Sequence, residues 1–154
     1  MNARGQVGLR WLLLGWLVGV LTVPEALGAP GEVSLRAVLI WGTDGAKPAD
    51  RKLKEVEPQT KQKLKAVFKW RDYYEVDRQV FKVPISSKKR VRMSEKCEIE
   101  VENLGDSNLE VKLFGEGRMV VRKKQALPSG EVLVLAGEDK NDTAWFVVIT
   151  PGEK

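Results

Sequence analysis

Two apolar runs near the end of the chain constrain its fold most strongly. Residues 132–136 read Val-Leu-Val-Leu-Ala, residues 144–149 read Ala-Trp-Phe-Val-Val-Ile, and a polar connection separates them. Neither run alternates between apolar and polar residues, as a strand with one face in water would. The pattern therefore predicts a core hairpin in the middle of a sheet, with other parts of the chain packed on both faces.

The overall composition is that of one ordinary globular domain, with 43% hydrophobic and 31% charged residues. The 26 basic and 21 acidic residues are mixed along the chain and leave a formal charge of +5. Such mixing favours an ion-paired surface over a groove for a polyanion, so we expect no nucleic-acid partner. The chain has no histidine, which is the commonest general base and zinc ligand. We therefore predict no cofactor and no metal site, and an enzymatic function is disfavoured.

The N-terminal segment has the three parts of a secretory signal peptide. Arg4 and Arg10 supply positive charge, an apolar run follows from residue 11 to residue 23, and small residues precede a cleavage point after Gly28. The run is shorter than the roughly 20 residues that a spanning helix needs. We predict a signal peptide over residues 1–28, a single β-rich domain over residues 29–154, and a secreted or periplasmic protein that begins at Ala29 and has no stable membrane span.

The middle of the chain changes its apolar period once. Residues 33–41 alternate as a strand does, whereas Leu64, Val67 and Phe68 lie at i, i+3 and i+4 and predict an amphipathic helix over residues 58–70. This helix is expected to cover one face of a sheet.

Beyond the helix, short alternating segments return. Residues 97–101 and 109–113 are the best hairpin signal, since polar turn residues separate them. The predicted fold is mainly β (α+β): an antiparallel β-sandwich or barrel of about eight short strands with one amphipathic helix. Cys97, the only cysteine, lies on an apolar strand face and is expected to be a small buried hydrophobic residue.

Charged side chains form two basic clusters and one acidic row. The basic clusters are residues 88–92 and residues 118–124, which could meet phosphates or anionic envelope polymers. The acidic row is Glu98, Glu100 and Glu102 on one strand face, and neighbouring strands could pair it with Lys112, Arg118 or Arg122. We favour cross-strand ion pairing as the role of these charges.

An aromatic corner is the first candidate binding site. Trp70, Arg71 and Tyr73 combine amphipathic rings with a guanidinium, as carbohydrate-binding and peptide-binding surfaces often do. Strand alternation sends Tyr73 and Tyr74 to opposite faces, and we expect Trp70 to pack in the core and Tyr73 to lie on the surface. Trp41 would extend this patch only if the corner folded over it.

A polar loop is the second candidate. Glu138, Asp139, Asn141 and Asp142 carry oxygen atoms that could bind a hard cation such as calcium. The loop lacks the spacing of an EF-hand and contains Lys140, so a polar hairpin tip is the simpler interpretation. Asn141 also begins a short glycosylation acceptor pattern.

Three functions are consistent with these patterns. The first is a non-enzymatic secreted or periplasmic module that binds a protein partner or envelope component through a sheet edge or face. The second is a small-ligand or carbohydrate-binding protein that uses the aromatic corner. The third is a carboxylate-dependent hydrolase in which Asp44 would pair with Asp139 or Asp142.

Overall fold

Two antiparallel sheets and one helix make up the part of the chain that the computed structural model describes, which is residues 31–49, 52–138 and 143–152. The elements are β1 (Val33–Thr43), β2 (Lys54–Glu55), α1 (Pro58–Val67), β3 (Asp72–Val83), β4 (Lys88–Arg92), β5 (Cys97–Gly105), β6 (Asn108–Gly115), β7 (Arg118–Ala126), β8 (Leu133–Glu138) and β9 (Thr143–Pro151). The predicted mainly β sandwich with one helix is confirmed, although the described residues form nine strands rather than about eight. The predicted signal peptide lies outside the described residues. Within those residues, no helix combines the length and the apolar character needed to cross a bilayer.

The predicted core hairpin is formed by β8 and β9 in the first sheet. This five-stranded sheet has the order β2-β3-β1-β9-β8, and β8 pairs with β9 from Leu133 opposite Ile149 to Glu138 opposite Ala144. β9 lies in the middle of the sheet, as predicted, but β8 lies at its edge. The expectation of a central position for both strands was therefore wrong for β8. Its apolar side chains pack against the layers above and below the sheet, but β9 is the one described strand beside it.

The second sheet has four strands in the order β4-β5-β6-β7. Two-residue turns join its last three strands, with positive φ at Asp106 (50°) and Ser107 (61°) in one turn and at Glu116 (49°) and Gly117 (78°) in the other. Two successive positive φ values match a type I′ turn, whose twist suits a β-hairpin. The predicted hairpin over residues 97–113 is confirmed, with Val101 opposite Val111.

Two apolar cores hold these layers together. The larger core lies between the two sheets, and the smaller lies between the five-stranded sheet and α1. Leu64 is the buried residue of α1 and anchors the helix on the smaller core, as predicted. Val67 is 74% exposed, so its assignment to the apolar stripe was wrong. The helix ends at Val67, and the extended backbone at Phe68 turns the Phe68 ring back onto the core instead.

Cys97 lies in the core between the sheets, which confirms the expected burial. Desolvation, with a smaller contribution from Glu98, raises the pKa of the Cys97 thiol to about 12. The thiol is therefore protonated at neutral pH, and its place in the fold is that of a small apolar side chain.

Candidate functional site

The aromatic corner is a packing junction. Tyr73 is fully buried under α1, its hydroxyl donates a hydrogen bond to the carbonyl of Phe68 (3.3 Å), and its ring lies 5.9 Å from that of Phe146. Burial raises the pKa of Tyr73. The expectation that Tyr73 lies on the surface was wrong, because the helix covers the sheet face onto which Tyr73 projects. Trp70 is half-buried against the same core, as expected.

Glycine at position 42 makes room for the rings of this corner. A side chain there would bring its Cβ to 2.9 Å from Phe146 and 3.0 Å from Trp70. Trp41 is paired directly opposite Tyr74, with 6.1 Å between the ring centroids, and so lies on the other face of the sheet from Tyr73. Trp41 therefore does not extend the corner.

Arg71 ties the start of β3 to the turn after β1. Its backbone N–H donates to the Asp44 carboxylate (2.8 Å), its Nη2 donates to the Asp44 carbonyl (2.7 Å), and its Nε donates to Asp72 (3.0 Å). The hydrogen bond from Arg71 is the main reason that the pKa of Asp72 is lowered. Asp44, the proposed catalytic carboxylate, thus accepts a structural hydrogen bond. A binding role for Trp70 and Arg71 stays a prediction.

The candidate cation loop lies almost wholly outside the described residues. Asp139, Asn141 and Asp142 lie outside the described residues. The structure describes the backbone of Glu138, which is the last residue of β8. Among the residues that the structure does describe, no three or more histidine, cysteine, aspartate or glutamate side chains converge in a way that could hold a metal ion.

The outer face of the four-stranded sheet carries the charged rows. Lys112 contacts Glu100 at 2.9 Å, as predicted, whereas Arg122 contacts Glu110 at 2.7 Å instead of the acidic row. These hydrogen bonds are the main reason that the pKa values of Glu100 and Glu110 are lowered. The basic residues of β4 complete the pairing of the acidic row: Lys88 with Glu102, Arg90 with Glu100, and Arg92 with Glu98.

β7 is an open edge strand. It pairs with β6 on one side, and no other described strand pairs with it. Seven of its side chains are exposed and two are half-buried, and the exposed ones include Met119 (58%) and Val120 (45%). Its sequence, Arg-Met-Val-Val-Arg-Lys-Lys-Gln-Ala, holds four basic residues and no acidic residue. The edge therefore offers unpaired backbone groups together with apolar and cationic side chains.

A groove of about 590 Å³ separates α1 from the outer face of β8 and β9. Its floor is apolar, with Leu64, Val148 and Val134 at the bottom. Its rim is polar and carries charges of both signs, including Lys63 and Glu131. Its volume lies in the range of small-molecule sites. The sequence did not reveal this groove, because its two walls are far apart along the chain.

No protein-family model, no curated protein and no solved structure matched the chain.

Proposed function

We propose that the chain is a non-enzymatic binding module that captures an extended segment of a protein partner along the open edge of β7. The observation that carries this proposal is a nine-residue strand with one hydrogen-bonded neighbour among the described residues and with mostly exposed side chains. An extended peptide that adds to such an edge gains main-chain hydrogen bonds, while its alternate side chains supply specificity. With the signal peptide predicted for residues 1–28, the partner would be a secreted or envelope protein.

The other edges of the two sheets support this choice of strand. β4 has five residues and β8 has six. The edge of β3 is covered by β2 at Tyr74 and Glu75. β7 is longer than β4 and β8, and β6 is the one described strand hydrogen-bonded to it, although part of β8 in the other sheet lies nearby. Longer ladders offer more backbone hydrogen bonds to an added strand, so β7 is the edge best suited to capture one.

A proline scan of β7 tests this proposal. In an antiparallel strand, alternate residues direct their N–H groups toward and away from the neighbouring strand. Proline at positions that face away from β6 removes donors offered to a partner without removing a bond to β6. We expect one alternating set of variants to keep its thermal stability and to lose binding of peptides selected from a displayed library by the wild-type protein. Binding measured by fluorescence anisotropy that persists in every stable proline variant would place the peptide elsewhere.

The groove beside α1 favours a second candidate function, the binding of a small ligand with an apolar body. Its half-buried floor residue Val134 would contact such a ligand. We expect the neutral dye 1-N-phenylnaphthylamine to gain fluorescence with the wild-type protein and to lose most of that gain with Val134→Asp, because a carboxylate on the floor is costly to desolvate. Val80→Asp is the matched control, since Val80 is 67% exposed and lies outside the groove. Equal dye fluorescence in both variants would exclude the groove as the dye site.

A further inference from the structure

We infer that the segment captured by β7 is acidic, with two carboxylate side chains at alternate positions and an apolar residue beyond them. The inference rests on the proposed edge capture and names the chemistry of the partner. It follows from the register of the four-stranded sheet, because that register determines which side chains an added strand would meet.

Three rows of side chains cross the outer face of this sheet from β4 to β7. Cross-strand partners share a face, so each row ends on a β7 side chain that an added strand would contact. In order from β4, the rows are Arg92, Glu98, Phe114 and Met119; then Arg90, Glu100, Lys112 and Arg122; then Lys88, Glu102, Glu110 and Lys124.

The two charged rows both end on a cation at the open edge. In the row that contains Lys112, Arg122 lies opposite that lysine, which has the same sign of charge. Arg122 forms its ion pair with Glu110 in the neighbouring row. In the row that contains Glu110, Lys124 forms no ion pair with any described residue. A strand added beside β7 would place two of its alternate side chains next to Arg122 and Lys124. Opposite charges in such positions stabilise strand pairing and like charges destabilise it, so carboxylates are favoured at both positions.

The row that ends on Met119 determines the apolar position. Met119 is the exposed end of a row whose preceding member is the ring of Phe114. The register between β6 and β7 shifts at this point, so the apolar residue of the partner would lie two or three positions beyond its nearer carboxylate.

The same cations disfavour a second copy of this chain as the occupant. Two β7 strands paired edge to edge would bring a basic strand with no acidic residue against another such strand. Lys123 adds to this effect, because it lies opposite Val111 and thus on the inner face of the edge strand, where it forms no ion pair with a described residue. Inward-facing lysines at a sheet edge oppose pairing with apolar strands. An acidic segment satisfies these charges, whereas a copy of β7 does not.

Three synthetic peptides with one shared apolar pattern test the inference. They differ only at the two positions that would face Arg122 and Lys124, which hold glutamate, glutamine or lysine. We expect the glutamate peptide to bind the purified protein about tenfold more tightly than the glutamine peptide at low salt, and the lysine peptide to bind most weakly. Raising the ionic strength from about 0.01 M to about 1 M should remove most of this difference.

A charge reversal and a backbone modification complete the experiment. Lys124→Glu should weaken the glutamate peptide about tenfold and strengthen the lysine peptide, whereas Lys52→Glu makes the same change in net charge away from β7 and should leave both affinities unchanged. Equal binding of all three peptides would overturn the acidic partner and leave edge capture standing. Undiminished binding of a glutamate peptide with N-methylated backbone amides, or no binding of any peptide, would overturn edge capture itself.

Discussion

Phe146→Ala is expected to lower the free energy of unfolding by about 3–5 kcal/mol. Phe146 is fully buried between the five-stranded sheet and α1. Its ring centroid lies 4.5 Å from that of Phe68 and 5.9 Å from that of Tyr73. Truncation would leave a cavity under the helix that rigid strands on one side cannot fill. The loss is a large share of the 5–15 kcal/mol that typically separates folded from unfolded domains.

Denaturant unfolding followed by circular dichroism measures this change. Val80→Ala is the control, because Val80 belongs to the same sheet but is 67% exposed, and its truncation should cost less than about 0.5 kcal/mol. A midpoint for Phe146→Ala that matches this control would show that the core under α1 does not limit the stability of the fold.

The periodicity of the sequence was sufficient to predict most of the elements. The alternation of residues 97–101 and 109–113 defined a hairpin that is present, and the spacing of Leu64 and Phe68 placed the helix on the sheet. Both signals are local, since a strand or helix shows its apolar face within a few residues. Turn residues such as Gly117 also act locally, so the number of strands came close to the observed one.

Local periodicity failed where both faces of a strand are covered. Tyr73 and Tyr74 project to opposite faces of β3, and both rings are buried. The core under α1 covers Tyr73, whereas Trp41 and Lys47 lie against the ring of Tyr74. The sequence could not identify a solvent-exposed tyrosine, because both tyrosines are buried. The sequence singled out Trp70, Arg71 and Tyr73 as a candidate binding surface, which stays a prediction. The structure shows packing and hydrogen bonding at these residues.

Local sequence patterns also did not predict the position of a strand within its sheet. The basic cluster at residues 118–124 was visible in the sequence, but its place on an open edge depends on the strand order β4-β5-β6-β7. That order is a long-range property, because it depends on which strands pair with one another in the folded chain. The same basic residues would be ordinary ion-pairing partners in a central strand, and they become a candidate binding edge because no described strand follows β7 in its sheet.

Asn103→Leu is expected to lower the free energy of unfolding by about 2–4 kcal/mol, because it leaves backbone groups without partners. Asn103 is buried at the end of β5, where its Nδ2 donates to the carbonyls of Gly31 and Val83, each at 2.9 Å. Its Oδ1 accepts a hydrogen bond from the N–H of Gly105 at 3.0 Å. One amide thus joins the start of β1, the end of β3 and the end of β5 across the two sheets. Asn108→Leu, at the partly exposed first residue of β6, should cost less than about 0.5 kcal/mol.

Asn103→Asp separates hydrogen bonding from packing at this site, because the two side chains have nearly the same shape. At neutral pH the new carboxylate would face two carbonyl oxygens and lack a proton to donate, so this variant should be at least as unstable as Asn103→Leu. Burial and these carbonyls would raise the pKa of the new carboxyl group above its unfolded value, so the folded state would bind the proton more tightly. The deficit relative to wild type should therefore shrink as the pH falls through that raised pKa, since a protonated carboxyl group can donate one of the two lost hydrogen bonds. Denaturant unfolding of both proteins from pH 7 to about pH 4 measures this difference, and a variant as stable as wild type throughout this range would show that Asn103 stabilises the fold by shape alone.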